Sequence, residues 1–353
     1  MTGNVSHPQH AAIRPEWLAL HAEGILDPEQ PIVDAHHHLY DRPGMRYLFD
    51  EALSDLASGH DVRATVFVQA RAMHRAGGPE ELRPIGETEF ANGVAAMAAS
   101  GNYGRTRLCS AIVSTADLLL GDGVKPVLEA HIRASPERFR GIRHTAAWDP
   151  DPSLLNPAYK VSEDLLATGQ FRAGFAHLAR LDLSFDAWLF FHQMPRLTEL
   201  AKAFPDTRIV VNHCGGILGI GPYAGRREDV YASWHTGIKA LAQCANVMIK
   251  LGGLGMRMGG FGFDALPKPA PSTSLAEAWR PWVETAIDVF GTDRCMLENN
   301  FPVDKGSFTY AVGWNAMKRL SAAASEDEKT DLFWRSAARF YRLSPDDLGG
   351  LTA

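Results

Sequence analysis

The sequence predicts an α/β protein built as a (β/α)8 TIM barrel. Eight short apolar segments alternate with helical patterns along the 353 residues, and the segments are apolar enough to be strands covered on both faces. A composition that is 46% hydrophobic can fill a core of that size. A doubly wound open sheet is the alternative fold, but the doublets Gly215-Gly216 and Gly252-Gly253 lack the spacing of a phosphate-binding loop.

The predicted elements follow one another in chain order. Strands are predicted at 32–39, 62–69, 108–114, 139–145, 183–191, 208–213, 246–251 and 294–299, and the main helices at 89–99, 124–134, 194–204, 231–244 and 274–290. A short amphipathic helix over 15–20 starts at a proline, which suits a first helical turn.

Three parts of the chain follow from this order. We expect residues 1–30 to form an N-terminal extension that packs on a barrel of residues 31–345, with a C-terminal tail over 346–353. A segment rich in Gly and Pro, about 252–273, follows the seventh strand and is placed to cover the barrel mouth.

Composition excludes several classes of function. A net charge of -6 offers no basic surface for nucleic acid or an anionic membrane. The four cysteines have no close spacing, which argues against a zinc ribbon or a disulfide framework. The first residues lack a signal-peptide pattern, and no apolar run reaches membrane-spanning length. We expect a soluble, cytoplasmic protein with a small-molecule substrate, and the sequence leaves assembly as a homo-oligomer open.

Histidines mark the ends of several predicted strands. His36, His37 and His38 end the first strand. Alternation places Asp34, His36 and His38 on one side of the strand and His37 on the other side. A structural or surface histidine cluster is the alternative interpretation. The carboxyl ends of barrel strands meet at one face, so we expect a site there. The further candidates from other strand ends and loops are Arg71, Arg143, His144, Trp148, His192, His213, Tyr223, Arg226, Glu298, Asn300 and Asp304.

Four motifs carry a resemblance to a known family. They are IVDAHHHL at 32–39, RGIRH at 140–144, VNHCGG at 211–216 and NNFPVDK at 299–305. In this order they resemble the amidohydrolase-related proteins, within them the predicted metal-dependent hydrolase branch that includes sugar lactonases and the pyrone dicarboxylate lactonase. The resemblance runs from about residue 14 to residue 343 and implies a TIM barrel. It also implies that His36 and His38 act with histidines of the fifth and sixth strands, His213 among them, and with an acidic residue that ends the eighth strand. In metal-bearing members these groups hold one or two divalent ions, whereas in metal-independent lactonases they bind the carbonyl and activate water directly.

Two positions depart from the family pattern. Asn300 stands where the eighth-strand aspartate is usual, and an amide can bind a ligand but cannot take a proton from water near neutral pH. Glu298 and Asp304 are the replacement candidates for the base; the structural alternatives are an ion pair of Glu298 with Lys250, and pairing with Lys305 or helix capping for Asp304. In the fifth strand Phe191 stands in the place of the family histidine. His192 is displaced by one residue, which turns a strand side chain to the opposite face unless a bulge compensates.

The remaining side chains predict how a ligand is held. His36, His38 and His213 could together bind a single zinc ion with an open water position, although the missing anionic ligand favours no metal. Arg71 and Arg143 carry planar donor groups for a carboxylate or carbonyl. Further substrate contacts are assigned to His144, Trp148, His192, Tyr223 and Arg226, with packing and surface salt bridges as the structural alternatives for Trp148 and the loop arginines.

The predicted function is hydrolysis of a small carboxylated or aromatic-derived lactone or cyclic ester. Histidines would polarise the carbonyl, and an acid would orient the attacking water. One alternative is a metal-dependent non-oxidative decarboxylase or lyase that acts on an aromatic acid. Another is a barrel that binds a small molecule without turning it over.

Overall fold

The computed structural model describes residues 10–43 and 45–351. Residues 1–9 of the predicted N-terminal extension and residues 352–353 of the predicted tail lie outside the described residues.

Eight parallel strands form one sheet in which each strand pairs with its neighbour in the sequence. A parallel bridge between His37 and Phe301 joins the first strand to the chain that follows the eighth, and the backbone N–H of His38 donates to the Phe301 carbonyl at 2.8 Å. The predicted (β/α)8 barrel is therefore confirmed. The barrel strands are Pro31–His37, Asp61–Val68, Arg107–Ser114, Phe139–Ile142, Ser184–Ala187, Ile209–Val211, Val247–Leu251 and Cys295–Leu297.

Helices connect the strands, and the five main predicted helices are present with ends shifted by a few residues. The structure adds a small antiparallel hairpin after the first strand, Tyr40–Arg42 with Met45–Tyr47, and further helices that the sequence did not predict. These helices are Phe49–Leu56, Gly169–Arg180, Tyr310–Leu320, Glu326–Thr330 and Ser336–Tyr341. The α-helices between and around the strands are Phe49–Leu56, Ile85–Ala99, Lys125–Ala134, Gly169–Arg180, Met194–Ala203, Arg227–Ala242, Ser272–Phe290, Tyr310–Leu320, Glu326–Thr330 and Ser336–Tyr341. A short irregular helical segment, His213–Gly216, follows the sixth strand.

Most buried apolar side chains belong to two clusters, and a third, small one joins Tyr40 of the hairpin to Ala70 and Ala72. The larger cluster lies between the sheet and its helices and includes Ile32 and Phe67. The smaller cluster contains alternate residues of the same strands, such as Val33 and Val66, together with Tyr341 of the last helix. Burial on both faces explains why the strands read as almost continuous apolar runs. All four cysteines are buried and free, as expected.

The described part of the N-terminal extension contacts the segment after the seventh strand. A short helix, Pro15–Leu18, lets the Trp17 indole donate to the Leu266 carbonyl at 2.9 Å. Glu23 accepts from the backbone N–H of Ser272, at the start of the helix Ser272–Phe290, at 2.6 Å. In the described part of the chain, no helix combines the length and apolarity needed to cross a membrane.

Candidate active site

A shift in strand register directs two histidines into the barrel mouth. Val33 and Ala35 pack in the inner cluster, so simple alternation would turn His36 away from the interior. The pairing of the first strand with the second shifts between Asp34 and His37, and the rings of His36 and His38 consequently lie 4.8 Å apart between centroids.

The same shift separates Asp34 from the two histidines, so the expectation that these three side chains share one side is wrong. Asp34 accepts hydrogen bonds from the Asn299 backbone at 3.1 Å and from the Tyr310 hydroxyl at 2.9 Å. Burial raises the pKa of Asp34 to about 7, even though these hydrogen bonds act to lower it. Asp34 therefore ties the first strand to the chain beyond the eighth.

His37 turns away from its two neighbours, as alternation predicts. Its Nε2 lies 2.8 Å from the Thr65 hydroxyl, and its ring meets Phe67 edge-on. The side chain is nevertheless buried, because it faces the helix layer and not solvent.

Glu298 lies buried between two of the histidines. Its Oε1 is 2.7 Å from His213 Nδ1, and its Oε2 is 3.0 Å from His36 Nδ1 at an angle that is poor for a hydrogen bond. An ionised carboxylate only accepts hydrogen bonds, so the proton of His213 sits on Nδ1 and its Nε2 is an acceptor. Burial lowers the pKa of His213, and the Glu298 charge opposes this.

His36 and His38 take the same tautomer for different reasons. Arg143 and Lys250 can only donate, and they lie 3.2 Å from His36 Nε2 and 3.3 Å from His36 Nδ1, but a neutral imidazole accepts at one nitrogen only. Because the Glu298 carboxylate lies 3.0 Å from Nδ1, we place the proton of His36 on Nδ1 and the acceptor at Nε2. His38 donates from Nδ1 to the Val68 carbonyl at 2.7 Å. Burial, and then the charges of Lys250 and Arg143 respectively, hold the pKa values of His36 and His38 well below the usual range. The site thus presents neutral imidazoles that accept through Nε2.

Lys250 does not pair with Glu298, contrary to the structural alternative considered for it. Its ammonium donates to Asp186 at 2.7 Å and lies 3.3 Å from His36 Nδ1. Asp186 also accepts from the Tyr341 hydroxyl at 3.0 Å and from Asn212 at 3.1 Å. Both charges are fully buried beneath the histidines and satisfy one another, which leaves Glu298 to the imidazoles.

A pocket opens above this cluster at the barrel mouth. Of the predicted site residues, His38, Arg143, His213 and Asn300 line the pocket, with His36 and Glu298 directly beneath. Arg143 and Thr145 each carry a donor, the Nε–H and the hydroxyl, that has no partner among the described residues. The fourth strand and the residues after it therefore contribute two buried donors without a partner among the described residues to a pocket that His38 and His213 also line.

Asp304 lies behind Asn300 and does not line the pocket. Its two oxygens accept from the Asn300 side chain at 2.8 Å and from the Gly255 backbone at 2.9 Å. Burial raises the pKa of Asp304 well above its usual range. The alternative pair with Lys305 does not form, because that ammonium binds Asp55. Asp304 consequently orients the amide of Asn300.

The structure does not bring His192, Tyr223 and Arg226 to the pocket. The fifth strand ends at Ala187, and His192 lies on a helical turn, Phe191–Gln193. His192 and the Tyr223 hydroxyl both bind Asp149, at 2.9 and 2.7 Å. Arg226 is on the surface and pairs with Asp229 at 3.1 Å.

Arg71, His144 and Trp148 also lie outside the residues that line the pocket. The Arg71 guanidinium stacks over the ring of Tyr159 at 5.2 Å, at the pocket edge. His144 accepts from the Leu118 backbone at 3.3 Å, so it belongs to the surrounding scaffold. Trp148 follows the fourth strand, and its backbone donates to Gln193 at 3.0 Å.

Several lining residues were not predicted from the sequence. Trp188 directly follows the fifth strand, and its ring meets His213 edge-on at 4.8 Å between centroids. Its position at a strand end is a signal that could have identified it. Arg42 comes from the unpredicted hairpin and Tyr159 from the loop after the fourth strand, and neither position carries a sequence signal.

A glycine after the seventh strand gives His213 its space. A Cβ on Gly253 would lie 2.5 Å from His213 Nδ1, and the residue has a φ of +66°. Both facts require glycine. The Gly252-Gly253 doublet that lacks the spacing of a phosphate-binding loop is thus explained by close packing of Gly253 against His213 and of Gly252 against Glu298.

The predicted zinc ligands His36, His38 and His213 do not fit a tightly held divalent ion in this arrangement. Ring nitrogens of His36 and His213 lie with a Glu298 oxygen within 4.8 Å of one another, and His38 is not part of that group. However, both Glu298 oxygens face Nδ1 atoms, and His36 Nε2 already accepts from Arg143. The Arg143 and Lys250 cations lie 3.2 and 3.3 Å from the His36 ring nitrogens and would repel a metal ion.

Fold and site together define a class: a TIM barrel whose strand ends converge on neutral histidines, as in barrel hydrolases. The chain belongs to the amidohydrolase family, whose model matches residues 33–343. The predicted resemblance is therefore confirmed.

Two curated relatives and several solved structures are similar to this chain. The uncharacterized protein y4mH of Sinorhizobium fredii is 32% identical and covers 88% of this chain and 98% of its own length. An L-fucono-1,5-lactonase of Burkholderia ambifaria is 29% identical over 68% of this chain and 72% of its own length. A crystal structure of a Burkholderia multivorans amidohydrolase with bound zinc is 22% identical, with a TM-score of 0.68 over 89% of this chain and 99% of its own.

More distant structures share the fold and differ in reaction. A probable 2-pyrone-4,6-dicarboxylic acid hydrolase of Acinetobacter baumannii is 12% identical, with a TM-score of 0.57 over 88% of this chain and 99% of its own. A 5-carboxyvanillate decarboxylase of Sphingomonas paucimobilis is also 12% identical, with a TM-score of 0.56 over 89% of this chain and 100% of its own. The fold alone does not choose between hydrolysis and decarboxylation.

Proposed function

We propose that this protein hydrolyses a small lactone. The observation that carries the proposal is the pairing of Glu298 with His213, which leaves a neutral, inward-facing Nε2 at the pocket wall. A neutral imidazole held by a carboxylate is a general base for water. This pair supplies the base that the eighth strand lacks, where Asn300 replaces the usual aspartate.

The two sequence candidates for the base take other roles in this proposal. Glu298 acts through His213 and is a positioning residue, because its oxygens face the ring nitrogens. Asp304 orients Asn300.

With these tautomers, the histidines do not polarise the carbonyl, which was the role predicted for them from the sequence. Three imidazoles that accept through Nε2 do not donate a hydrogen bond to a carbonyl oxygen. Arg143 and Thr145 line the pocket with donors that lack partners, so they polarise the carbonyl and stabilise the oxyanion. His38, which also lines the pocket as an acceptor, helps to orient the water.

Water adds to the lactone carbonyl carbon and gives its proton to His213 Nε2. The ring C–O bond breaks as the tetrahedral intermediate collapses, and the same proton passes to the departing ring oxygen. The product is a hydroxy acid, and His213 returns to its neutral form.

Decarboxylation of an aromatic acid is the alternative, supported only by distant structures of the same fold. That chemistry requires an electrophile to draw electrons from the ring, and the residues here do not fit a tightly held metal ion. A barrel that binds without turnover remains the third possibility, and it lacks support while the Glu298 and His213 pair is intact.

A screen of lactones with a pH indicator tests the proposal, because each ring opening to a hydroxy acid releases a proton at neutral pH. We expect turnover of at least one small lactone, and we expect His213→Ala to lower kcat by about 10³-fold or more. His144→Ala is the matched control, since His144 lies outside the pocket residues. Absence of turnover by folded protein, or equal loss in both variants, would contradict the proposal.

A further inference from the structure

The pocket carries an excess of positive charge. Arg42 and Arg143 line it, and Arg71 lies at its edge over Tyr159. No acidic residue is among the described residues that line the pocket. None of the three guanidiniums forms an ion pair with a carboxylate of the described chain, whereas Arg46 on the same hairpin pairs with Glu51 at 2.8 Å.

Two of these arginines are anchored side by side. Arg143 donates to the carbonyl of Gln69, and Arg42 donates to the carbonyl of Ala70, the next residue. Both guanidiniums line the same pocket and bind the carbonyls of consecutive residues, so they contribute two positive charges to it. Arg143 also contacts His36, which lies beneath the pocket. Arg42 binds the carbonyl one residue further along the chain from the one that Arg143 binds, so we assign it to the side nearer the mouth.

Arg42 is held in place and still has free hydrogen-bonding capacity. One terminal nitrogen bonds to Ala70, and the guanidinium stacks over the Tyr40 ring at 4.5 Å. The other N–H groups of this guanidinium donate to no acceptor among the described residues. A guanidinium held by stacking loses little entropy when it forms a two-pronged bond with a carboxylate.

Resting on the proposed lactone hydrolysis, we infer that Arg42 selects substrates in which a carboxylate is attached to the lactone ring close to the carbonyl. Arg143 faces the carbonyl at the floor, and the neighbouring guanidinium of Arg42 meets the carboxylate. Arg71 adds a second positive charge at the rim. The site therefore prefers an anionic ring to a neutral sugar lactone of the same size.

The first arm of the test compares a lactone that carries a ring carboxylate with the corresponding primary amide. We expect kcat/KM for the carboxylate to exceed that for the amide, and Arg42→Ala to lower only the carboxylate value, by about tenfold or more, mainly through KM. Arg42→Lys should recover part of the loss. Arg46→Ala is the matched control on the same hairpin and should change neither value.

The second arm does not depend on turnover. A tetrahydropyran carboxylate has no lactone bond, and its binding can be compared with that of its amide by titration calorimetry. We expect the carboxylate to bind the wild-type protein about tenfold more tightly, and Arg42→Ala to remove this difference. Equal binding of the two ligands, or a preference retained in Arg42→Ala, overturns the inference. Binding as expected without hydrolysis of any lactone refutes the proposed reaction and leaves the anion site standing.

Discussion

Replacing Glu298 with Gln tests how the imidazoles are oriented. The carboxylate fixes the Nδ1 proton of His213 through a bond of 2.7 Å and lies 3.0 Å from His36 Nδ1. Glutamine presents one donor group, which favours the opposite tautomer of one histidine, so that Nε2 carries a proton and no longer accepts one from water.

The magnitude follows from the bonds that are lost. A hydrogen bond to a charged group contributes about 1.5–3 kcal/mol, and the second contact has a poor angle, so we expect a loss of about 2–4 kcal/mol in transition-state stabilisation. This corresponds to a fall in kcat of about 30- to 1000-fold. KM should change little, because Glu298 is not among the residues that line the pocket.

A pH profile separates this role from a purely structural one. Burial lowers the pKa of His213 and the Glu298 charge raises it. Removing the charge lowers that pKa further, so the acid limb of kcat/KM should move to lower pH in Glu298→Gln. Glu23→Gln is the control, because this carboxylate binds Ser272 and is not among the residues that line the pocket, and it should keep the wild-type limb. Glu298→Gln with more than a third of the wild-type kcat and an unmoved acid limb would refute the reasoning.

Asp304→Asn should lower kcat by less than about tenfold, because Asp304 only orients Asn300; a loss as large as that of His213→Ala would make Asp304 the base. Prolonged dialysis against a chelator should leave the hydrolysis rate unchanged, and elemental analysis that finds stoichiometric zinc together with lost activity would contradict this. Burial acts to raise the pKa of Glu23, but hydrogen bonds from His21, Ser272 and Asn315 outweigh it and lower the pKa to about 2 from 4.5. The stabilisation by Glu23 is then fully present above about pH 4.5 and is lost as the pH falls towards 2. Glu23→Gln should cost about 1–2 kcal/mol of unfolding free energy at pH 7 and show a weaker acid dependence in urea titrations; unchanged stability at both pH values would count against this account.

The sequence predicted the barrel because its signal is spread over the whole chain. Each strand is apolar on both faces, and each connecting helix has its own periodic pattern. Errors of a few residues in the predicted ends of these elements therefore do not alter the predicted architecture. The histidines His36, His38 and His213 were found because carboxyl ends of barrel strands converge.

The missed parts of the site depend on tertiary contacts. The register shift after Asp34 is a pairing irregularity between two strands, and nothing in the first strand itself reveals it. The partner of Glu298 depended on whether Lys250 lay closer to Asp186 or to Glu298, and this is decided only when the strands assemble. Lys250 binds Asp186, so Glu298 binds His213 instead. Arg42 lies on a hairpin of three-residue strands, too short to produce a pattern.

His192 shows the opposite error, because a sequence signal assigned to the site a residue that lies outside it. The predicted fifth strand ran to residue 191, so a histidine at its end looked well placed. The strand ends at Ala187, and the chain turns before His192 reaches the mouth. Trp188 takes the position beside His213.

The most direct test of lactone hydrolysis is the mass of the product formed in water enriched in oxygen-18. A ring-carboxylate lactone is incubated with chelator-treated protein, and the product is analysed by mass spectrometry. We predict a hydroxy acid with one labelled oxygen in the new carboxylate and no loss of carbon. A product that has lost carbon dioxide, or an opened ring without the label, would contradict it.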